Sequence, residues 1–175
     1  GSLGGMKPIH SHGGMIDGVA HIGQPYWWAE GGEMSEDDFG LMRARELEAK
    51  IEELGVDNVA AFIGEPIQGA GGVIVPPKTY WPEIQRICDK YGILLISDEV
   101  MSGWGRTGKW FAVDNWNVVP DIITTAKGIT SGYVPLGAVI VSDKIAEFFD
   151  DKYLYAGLTY NGHALACAAA LATIE

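Results

Sequence analysis

The sequence predicts an α/β fold of three layers, in which helices cover both faces of a mostly parallel sheet. Four short, unbroken apolar runs have the length of β-strands, and such runs are typical of strands that are buried on both faces. Stretches with helical spacing of apolar residues stand between them, and this alternation indicates βαβ units. The chain has 175 residues, of which 47% are hydrophobic, and this suffices for one domain with a packed core.

Loops and helices alternate along the first half of the chain. Residues 1–40 are rich in Gly, Pro and aromatic residues and predict irregular structure. After Ser35, apolar residues recur every three or four positions and predict an amphipathic helix that ends at Gly55. A second helix is predicted to begin at a Thr79 cap and to end at Gly92.

The strands and the remaining helices complete the predicted domain. The strand-length apolar runs are residues 58–64, 93–97, 122–126 and 136–142. Two further helices are predicted over residues 143–150 and from His163 to the end of the chain. No internal repeat or low-complexity linker divides the sequence, so a single domain is expected.

The composition excludes several classes of partner and site. A net charge of -11 disfavours nucleic acid, because binding to the phosphate backbone depends on clustered Lys and Arg. Cys88 and Cys167 lack metal-ligand spacing, so neither a disulfide framework nor a zinc site is predicted, and a reducing cytoplasm is expected. No acidic or cysteine cluster accompanies His10 and His12, and no metal is predicted. No apolar run approaches the roughly 18 residues of a membrane span, so no membrane partner is expected.

Charged residues follow three of the predicted strands. Glu65 comes after the first apolar run, Asp98 after the second and Lys127 after the third. Ligand sites of parallel α/β sheets lie beyond the carboxyl ends of the strands, so these residues are expected at one edge of the sheet. Position alone leaves two interpretations open, since an acid and a lysine there could form an ordinary ion pair or could carry chemistry.

Five motifs that occur in a fixed order add a family resemblance. They are Glu65–Gly69 (EPIQG), Ser97–Val100 (SDEV), Gly103–Gly108 (GWGRTG), Pro120-Asp121 leading to Ala126–Gly128 (AKG), and Thr159–His163 (TYNGH). With these motifs, the stretch from Asn58 to Ala169 resembles class III, or ω-type, pyridoxal phosphate-dependent aminotransferases. The resemblance implies the large domain of a fold type I pyridoxal phosphate-dependent transferase, with pyridoxal 5'-phosphate as the cofactor.

The resemblance also implies a role for each of four residues. Lys127 matches the lysine whose amine forms an imine with the cofactor aldehyde and then moves a proton between the substrate Cα and the cofactor. Asp98 matches the carboxylate that pairs with the protonated pyridine nitrogen and keeps the ring able to accept electrons. Val100 matches the residue that packs against one face of the ring. Thr159 matches the hydroxyl that holds the cofactor phosphate, which in the family comes from the other subunit of a dimer.

Other residues of the motifs bear on the substrate and the pocket. Glu65 looks like the acid on the substrate side of the cofactor, where it would pair with a cation. Met101 stands where many α-ketoglutarate-using members have Gln, and with the aromatic Trp104 it resembles the amine:pyruvate branch. Arg106 is expected to hold the glycine-rich loop. The implied reaction moves an amino group from an ω-amine or ω-amino acid to a keto acid, with pyruvate expected, in a homodimer or larger assembly.

Alternative interpretations stay open at this point. An aminomutase or a decarboxylase of the same fold would use the same lysine, and a non-catalytic domain would keep the scaffold without the chemistry. Members of the family are much longer, so residues 1–175 are expected to form part of a large domain. The upstream phosphate loop and the C-terminal small domain of the family have no counterpart in these residues. The sequence fixes neither the amino donor nor the choice between dimer and tetramer.

Overall fold

The computed structural model describes every residue from Gly1 to Glu175. Its α-helices are α1 (Lys7–His10), α2 (Trp27–Glu30), α3 (Glu36–Leu54), α4 (Tyr80–Tyr91), α5 (Asp143–Phe148) and α6 (Ala164–Ile174). Short 3₁₀ helices lie at Val56–Asn58, Ala112–Trp116 and Lys127–Thr130. The strands are β1 (Ala61–Gly64), β2 (Leu94–Asp98), β3 (Ile122–Thr125) and β4 (Ala138–Val141). The predicted helices and strands are all present, and the region expected to be irregular contains only the single-turn helices α1 and α2 before α3 begins at Glu36.

The strands form one mixed sheet in the order β1-β2-β3-β4. β1 pairs with β2 and β2 pairs with β3 in parallel, whereas β4 pairs with β3 in the antiparallel direction. The connection from β1 to β2 contains α4, which packs on β2. The expected α/β fold with a mostly parallel sheet is therefore confirmed. The carboxyl ends of the three parallel strands share one edge of the sheet.

Burial differs from one strand to another. Leu95 and Ser97 on one face of the central strand β2 are buried. By contrast, Val139, Ile140 and Val141 of the edge strand β4 are exposed. The expectation that all four strands are buried on both faces is therefore wrong for β4. It follows β3 in an antiparallel pairing without a crossover helix, and crossover helices are what cover the faces of a parallel sheet.

Helices α3 and α4 provide most of the buried core. Ser35 caps α3 by accepting a hydrogen bond of 3.1 Å from the Asp38 amide, and Gly55 at positive φ ends the helix. The apolar stripe of α3 packs against that of α4, and together they enclose the buried side chains Ala44, Leu47, Ile51, Trp81, Ile84 and Ile87. The core thus includes much of the predicted apolar periodicity, although Leu54 at the end of the α3 pattern is exposed.

The start of α4 is tied to the start of α3. The Thr79 hydroxyl, predicted to cap α4, makes no capping bond and instead donates to the Asp37 carbonyl at 2.8 Å. The two segments approach so closely that an ideal Cβ at Gly40 would lie 2.3 Å from Thr79 Oγ1. The Thr79 hydroxyl therefore bonds to the start of α3 instead of capping α4, and the close approach of the two segments requires a glycine at position 40.

Ion pairs join the two helices on their solvent side. Arg45 Nε lies 3.2 Å from Glu83 Oε1, and Lys90 Nζ lies 2.6 Å from Glu48 Oε1. A hydrogen bond from Arg86 holds the pKa of the Glu83 carboxyl below its usual value. A hydrogen bond from Lys90 likewise lowers the pKa of Glu48. Such exposed pairs each contribute little to stability, so the core and not the charges holds α3 on α4.

No helix of the chain is at once long enough and apolar enough to cross a membrane.

Candidate active site

The candidate site lies at the sheet edge where β2 and β3 end. Asp98 closes β2 and pairs in register with Thr124 of β3, and Lys127 follows three positions after Thr124. Asp98 Oδ1 accepts a hydrogen bond of 3.1 Å from the Val100 amide. Asp98 and Val100 are both partly buried, whereas Glu99 between them is fully buried on the opposite face. The strand ends thus bring three of the four predicted site residues to one edge.

Lys127 has an unusual backbone and an unusual side-chain partner. Its φ of 45° lies in the left-handed region, which non-glycine residues seldom adopt. The side chain is exposed, and its Nζ lies 2.7 Å from the sulfur of Met101. No carboxylate of the chain forms an ion pair with it. The interpretation of Asp98 and Lys127 as an ordinary ion pair is therefore wrong.

An open cleft adjoins Lys127. Its volume is about 550 Å³, and its walls are Ala126, Lys127 and the turn formed by Gly132 and Val134–Gly137. The walls are mostly backbone and small apolar side chains, with the lysine as their charged group. Asp98, Val100 and Met101 do not line this cleft, so Lys127 is the residue that joins it to the strand ends.

The nearby carboxylates are bound to backbone amides. Glu99 is 0% exposed, and its oxygens accept hydrogen bonds from the amides of Ala112 and Val113, each at 3.0 Å, and from Ser102 Oγ at 2.6 Å. Glu65 Oε2 accepts a bond of 2.9 Å from the Gly69 amide. Glu65 has no cationic partner, contrary to the expectation for this residue. These acids shape the loops around the site.

Trp104 of the glycine-rich loop lies on the segment that carries Lys127. Its indole N–H donates to Thr125 Oγ1 at 2.5 Å. An ideal Cβ at Gly128 would lie 2.8 Å from Trp104 Cβ, so the two residues are in close contact. In the same way a Cβ at Gly69 would lie 2.6 Å from Met101 Cγ, which places the first motif against the side chain that contacts Lys127. Residues of the first, third and fourth motifs therefore meet around Lys127 and Met101.

Two motif residues lie apart from this arrangement. Thr159 is exposed in the segment between α5 and α6 and forms no hydrogen bond with Lys127, Asp98 or Val100. Arg106 is also exposed, and its side chain donates no hydrogen bond within the chain. The glycine-rich loop is held by Trp104 and not by the expected arginine.

The anchoring role of Glu99 could have been inferred from the alternation of residues along β2. Leu95, Ser97 and Glu99 alternate along β2, and a period of two places them on the same, buried face. A glutamate on that face needs donors, which the chain supplies from residues 112 and 113. For the contact of Trp104 with Thr125 no such signal exists, because it depends on the path of a loop.

Comparisons with known proteins identify the family. The family model described as Aminotransferase class-III matches residues 8–175. The chain is 56% identical to the putrescine–pyruvate aminotransferase of Pseudomonas aeruginosa, over 99% of this chain and 39% of that protein. It is 45% identical to the diaminobutyrate–2-oxoglutarate transaminase of Halomonas elongata, over 99% of this chain and 39% of that protein. The chain thus spans well under half the length of these relatives.

Solved structures agree with this assignment. A thermostable (S)-enantioselective omega-transaminase from Thermomicrobium roseum superimposes with a TM-score of 0.90 and 50% identity, over 95% of this chain and 38% of that one. An amine transaminase from an uncultivated Pseudomonas species, solved in its PLP-bound form, gives a TM-score of 0.92 and 42% identity, over 99% of this chain and 40% of that one. The chain therefore belongs to the class-III aminotransferase family.

Proposed function

We propose that the protein is a pyridoxal 5'-phosphate-dependent aminotransferase that moves an amino group from an ω-amine or ω-amino acid to pyruvate. Residues 1–175 would form part of its cofactor-binding large domain. The observation that carries this proposal is the state of Lys127: an exposed lysine at a strand end, beside an open cleft and without an ion-pair partner. Lys109 and Lys144 are exposed and unpaired as well, but Lys127 differs from them in its left-handed backbone at the end of a parallel strand.

The residues at this edge fit the chemistry of the cofactor. An aldehyde needs an accessible amine, and Lys127 is exposed to the cleft. A protonated pyridine nitrogen needs a carboxylate with a free oxygen, and Asp98 uses only Oδ1, in its bond to the Val100 amide. A flat ring needs an apolar surface, and Val100 is partly exposed beside Asp98. Lys127, Asp98 and Val100 thus satisfy the three requirements, and they lie at neighbouring strand ends.

Bound pyridoxal phosphate would supply an aldehyde for the amine and a ring that takes up electrons when the substrate loses its proton. Lys127 Nζ would hold the cofactor and, once freed by the incoming amine, would carry the proton from the substrate carbon. Asp98 would keep the proton on the pyridine nitrogen, because a nearby negative charge favours the cationic form. Val100 would fix the plane of the ring.

The proposed substrates follow from the relatives and from the pocket. The relative with 56% identity is named for putrescine, an ω-amine, and for pyruvate. Met101 places a thioether beside Lys127, where it offers no donor to a polar acceptor group. The relative with 45% identity is named for 2-oxoglutarate, so this acceptor is the one to compare with pyruvate.

The proposed assembly is a homodimer or larger, with Thr159 of one subunit holding the cofactor phosphate of the other. Thr159 is exposed and forms no hydrogen bond with Lys127, Asp98 or Val100 of its own chain, which supports this arrangement. We place the enzyme in the cytoplasm, and the two free cysteines, Cys88 and Cys167, agree with a reducing compartment.

The proposal is tested on the complete gene product by borohydride reduction in the presence of pyridoxal phosphate, followed by peptide mapping. The label should be fixed on Lys127 and disappear in Lys127→Ala, while the matched change at an exposed lysine, Lys144→Ala, should leave it unchanged. Alanine formation from putrescine and pyruvate should follow the same pattern. A label elsewhere, or none, would contradict the assignment of Lys127.

The products distinguish the competing activities. Release of carbon dioxide from an amino acid donor would indicate a decarboxylase, and an isomerised amine without consumption of pyruvate would indicate an aminomutase. Binding of the cofactor without turnover of any amine would indicate a non-catalytic protein.

A further inference from the structure

Trp104 makes contacts on both sides of Lys127. The indole N–H donates to Thr125, two positions before the lysine, at 2.5 Å. Its Cβ and ring lie so close to Gly128, one position after the lysine, that an ideal Cβ there would be 2.8 Å from Trp104 Cβ and 3.3 Å from Cγ. The Trp104 side chain therefore contacts the chain both before and after Lys127.

Trp104 is itself firmly held in the glycine-rich loop. Its amide donates to the Trp110 carbonyl at 2.7 Å. Its ring packs edge-on against Trp110, with centroids 6.1 Å apart, and against Phe111, with centroids 5.4 Å apart. The buried Glu99 carboxylate binds the Ala112 amide and so anchors the chain next to Phe111. The indole is thus a rigid support and not a mobile surface group.

The segment around Lys127 needs such a support. Lys127 has a φ of 45°, and Trp104 has a φ of 63°. Left-handed backbone at a non-glycine residue costs free energy and persists only where surrounding contacts impose it. Thr125 on β3 is buried and fixed by the sheet, and Gly128 lies in a 3₁₀ helix in which its carbonyl accepts a bond of 3.0 Å from the Ser131 amide. The contact of the indole with Gly128 adds a side-chain constraint next to the lysine.

We propose that Trp104 is a positioning residue for Lys127: through its contacts with Thr125 and Gly128 it holds the left-handed backbone from which the Lys127 side chain projects. The inference rests on the proposed function and adds to it a second residue on which the reactivity of the lysine depends. Trp104 acts through the lysine and is not assigned a contact with substrate.

A double-mutant cycle on the complete gene product tests this role. Apparent cofactor affinity is measured by titration with pyridoxal phosphate for Trp104→Ala, for Lys127→Ala and for the double variant. If Trp104 acts through the lysine, Trp104→Ala should weaken binding roughly tenfold when Lys127 is present and have no effect in the Lys127→Ala background. Trp28→Ala, which removes a tryptophan that is 83% exposed, is the matched control and should leave the affinity unchanged.

Two milder variants extend the test. Trp104→Phe keeps a ring over Gly128 and loses the N–H, and Thr125→Val loses only the acceptor. Both should weaken attachment of the cofactor to Lys127 less than Trp104→Ala does. If Trp104→Ala does not fold, the double-mutant cycle is measured with these two variants in its place. Equal losses in both lysine backgrounds would show a general scaffold role and overturn the inference, as would no loss in either. Absence of label on Lys127 in the unmodified protein would overturn the proposed function, and the inference with it.

Discussion

Replacing Glu99 by glutamine should destabilise the protein although the two side chains have nearly the same shape. Both carboxylate oxygens accept backbone amides, Oε1 from Val113 and Oε2 from Ala112, and Oε2 also accepts from Ser102. A glutamine has one oxygen and one NH₂ group. Whichever way it is turned, its NH₂ faces one of the two backbone N–H groups, and that donor is left without an acceptor in a fully buried place.

The magnitude follows from these bonds. A buried donor without a partner costs about 1–3 kcal/mol, and the bonds that remain lose the extra strength that a charged acceptor provides. We therefore expect Glu99→Gln to lower the free energy of unfolding by about 2–4 kcal/mol. Urea unfolding followed by tryptophan fluorescence measures this directly, since Trp104 and Trp110 lie on the anchored loop.

The matched control is Glu53→Gln on α3. Glu53 is 64% exposed and pairs only with Lys50 at the surface, so this change should alter stability by no more than about 0.5 kcal/mol. If Glu99→Gln unfolds at the same urea concentration as Glu53→Gln, the buried carboxylate does not anchor residues 112 and 113, and the account of the loop is refuted.

Three further predictions concern the packing of α3 and α4. In an isolated helix, Gly40→Ala would be stabilising by about 1 kcal/mol, but here the added Cβ would lie 2.3 Å from Thr79 Oγ1. The urea concentration at the midpoint of unfolding should therefore fall, and a rise would contradict the close approach of the two segments. Burial raises the pKa of the Cys88 thiol to about 12, so at about pH 8 iodoacetamide should alkylate it only in the unfolded chain, as peptide mass mapping will show. Because Arg86 lowers the pKa of Glu83 from 4.5, the pair stabilises the folded state above that pH, and the contribution is lost as the pH falls through the lowered value. In acid unfolding curves, Glu83→Gln should therefore cost no more than about 1 kcal/mol at pH 7 and nothing once the pH lies below the lowered pKa of Glu83.

The helices and strands were predictable because their apolar periodicity is local. The spacing of residues after Ser35 identified α3 and its end at Gly55, and the unbroken run before Asp98 identified β2. Side-chain contacts with residues that are distant in the sequence were not predictable. The Thr79 hydroxyl binds the Asp37 carbonyl, 42 positions away, and so leaves its own helix uncapped.

The candidate site, too, was predictable only in part. Asp98 and Lys127 could be placed together because parallel strands deliver their carboxyl ends to one edge. The role of Trp104 could not, because the indole reaches Thr125 only through a loop in which a bulky residue takes a positive φ of 63°. Sequence patterns report strongly preferred backbone states, and a tryptophan in the left-handed region is an exception to them. The assigned roles of Asp98, Val100 and Thr159 stay predictions that cofactor titrations of their variants will test.

The absence of a carboxylate partner for Lys127 has a physical reason in the loops around it. Each acid that follows a strand end accepts a backbone amide: Asp98 from Val100, Glu65 from Gly69, and Glu99 from Ala112 and Val113. These bonds hold the carboxylates in their own loops, and Lys127 Nζ has the thioether of Met101 beside it at 2.7 Å in place of a carboxylate. Asp98 uses only Oδ1 in this way, so its second oxygen stays free for the proposed contact with the pyridine nitrogen. The same hydrogen bonds that order the loops therefore also leave Lys127 without an ion-pair partner.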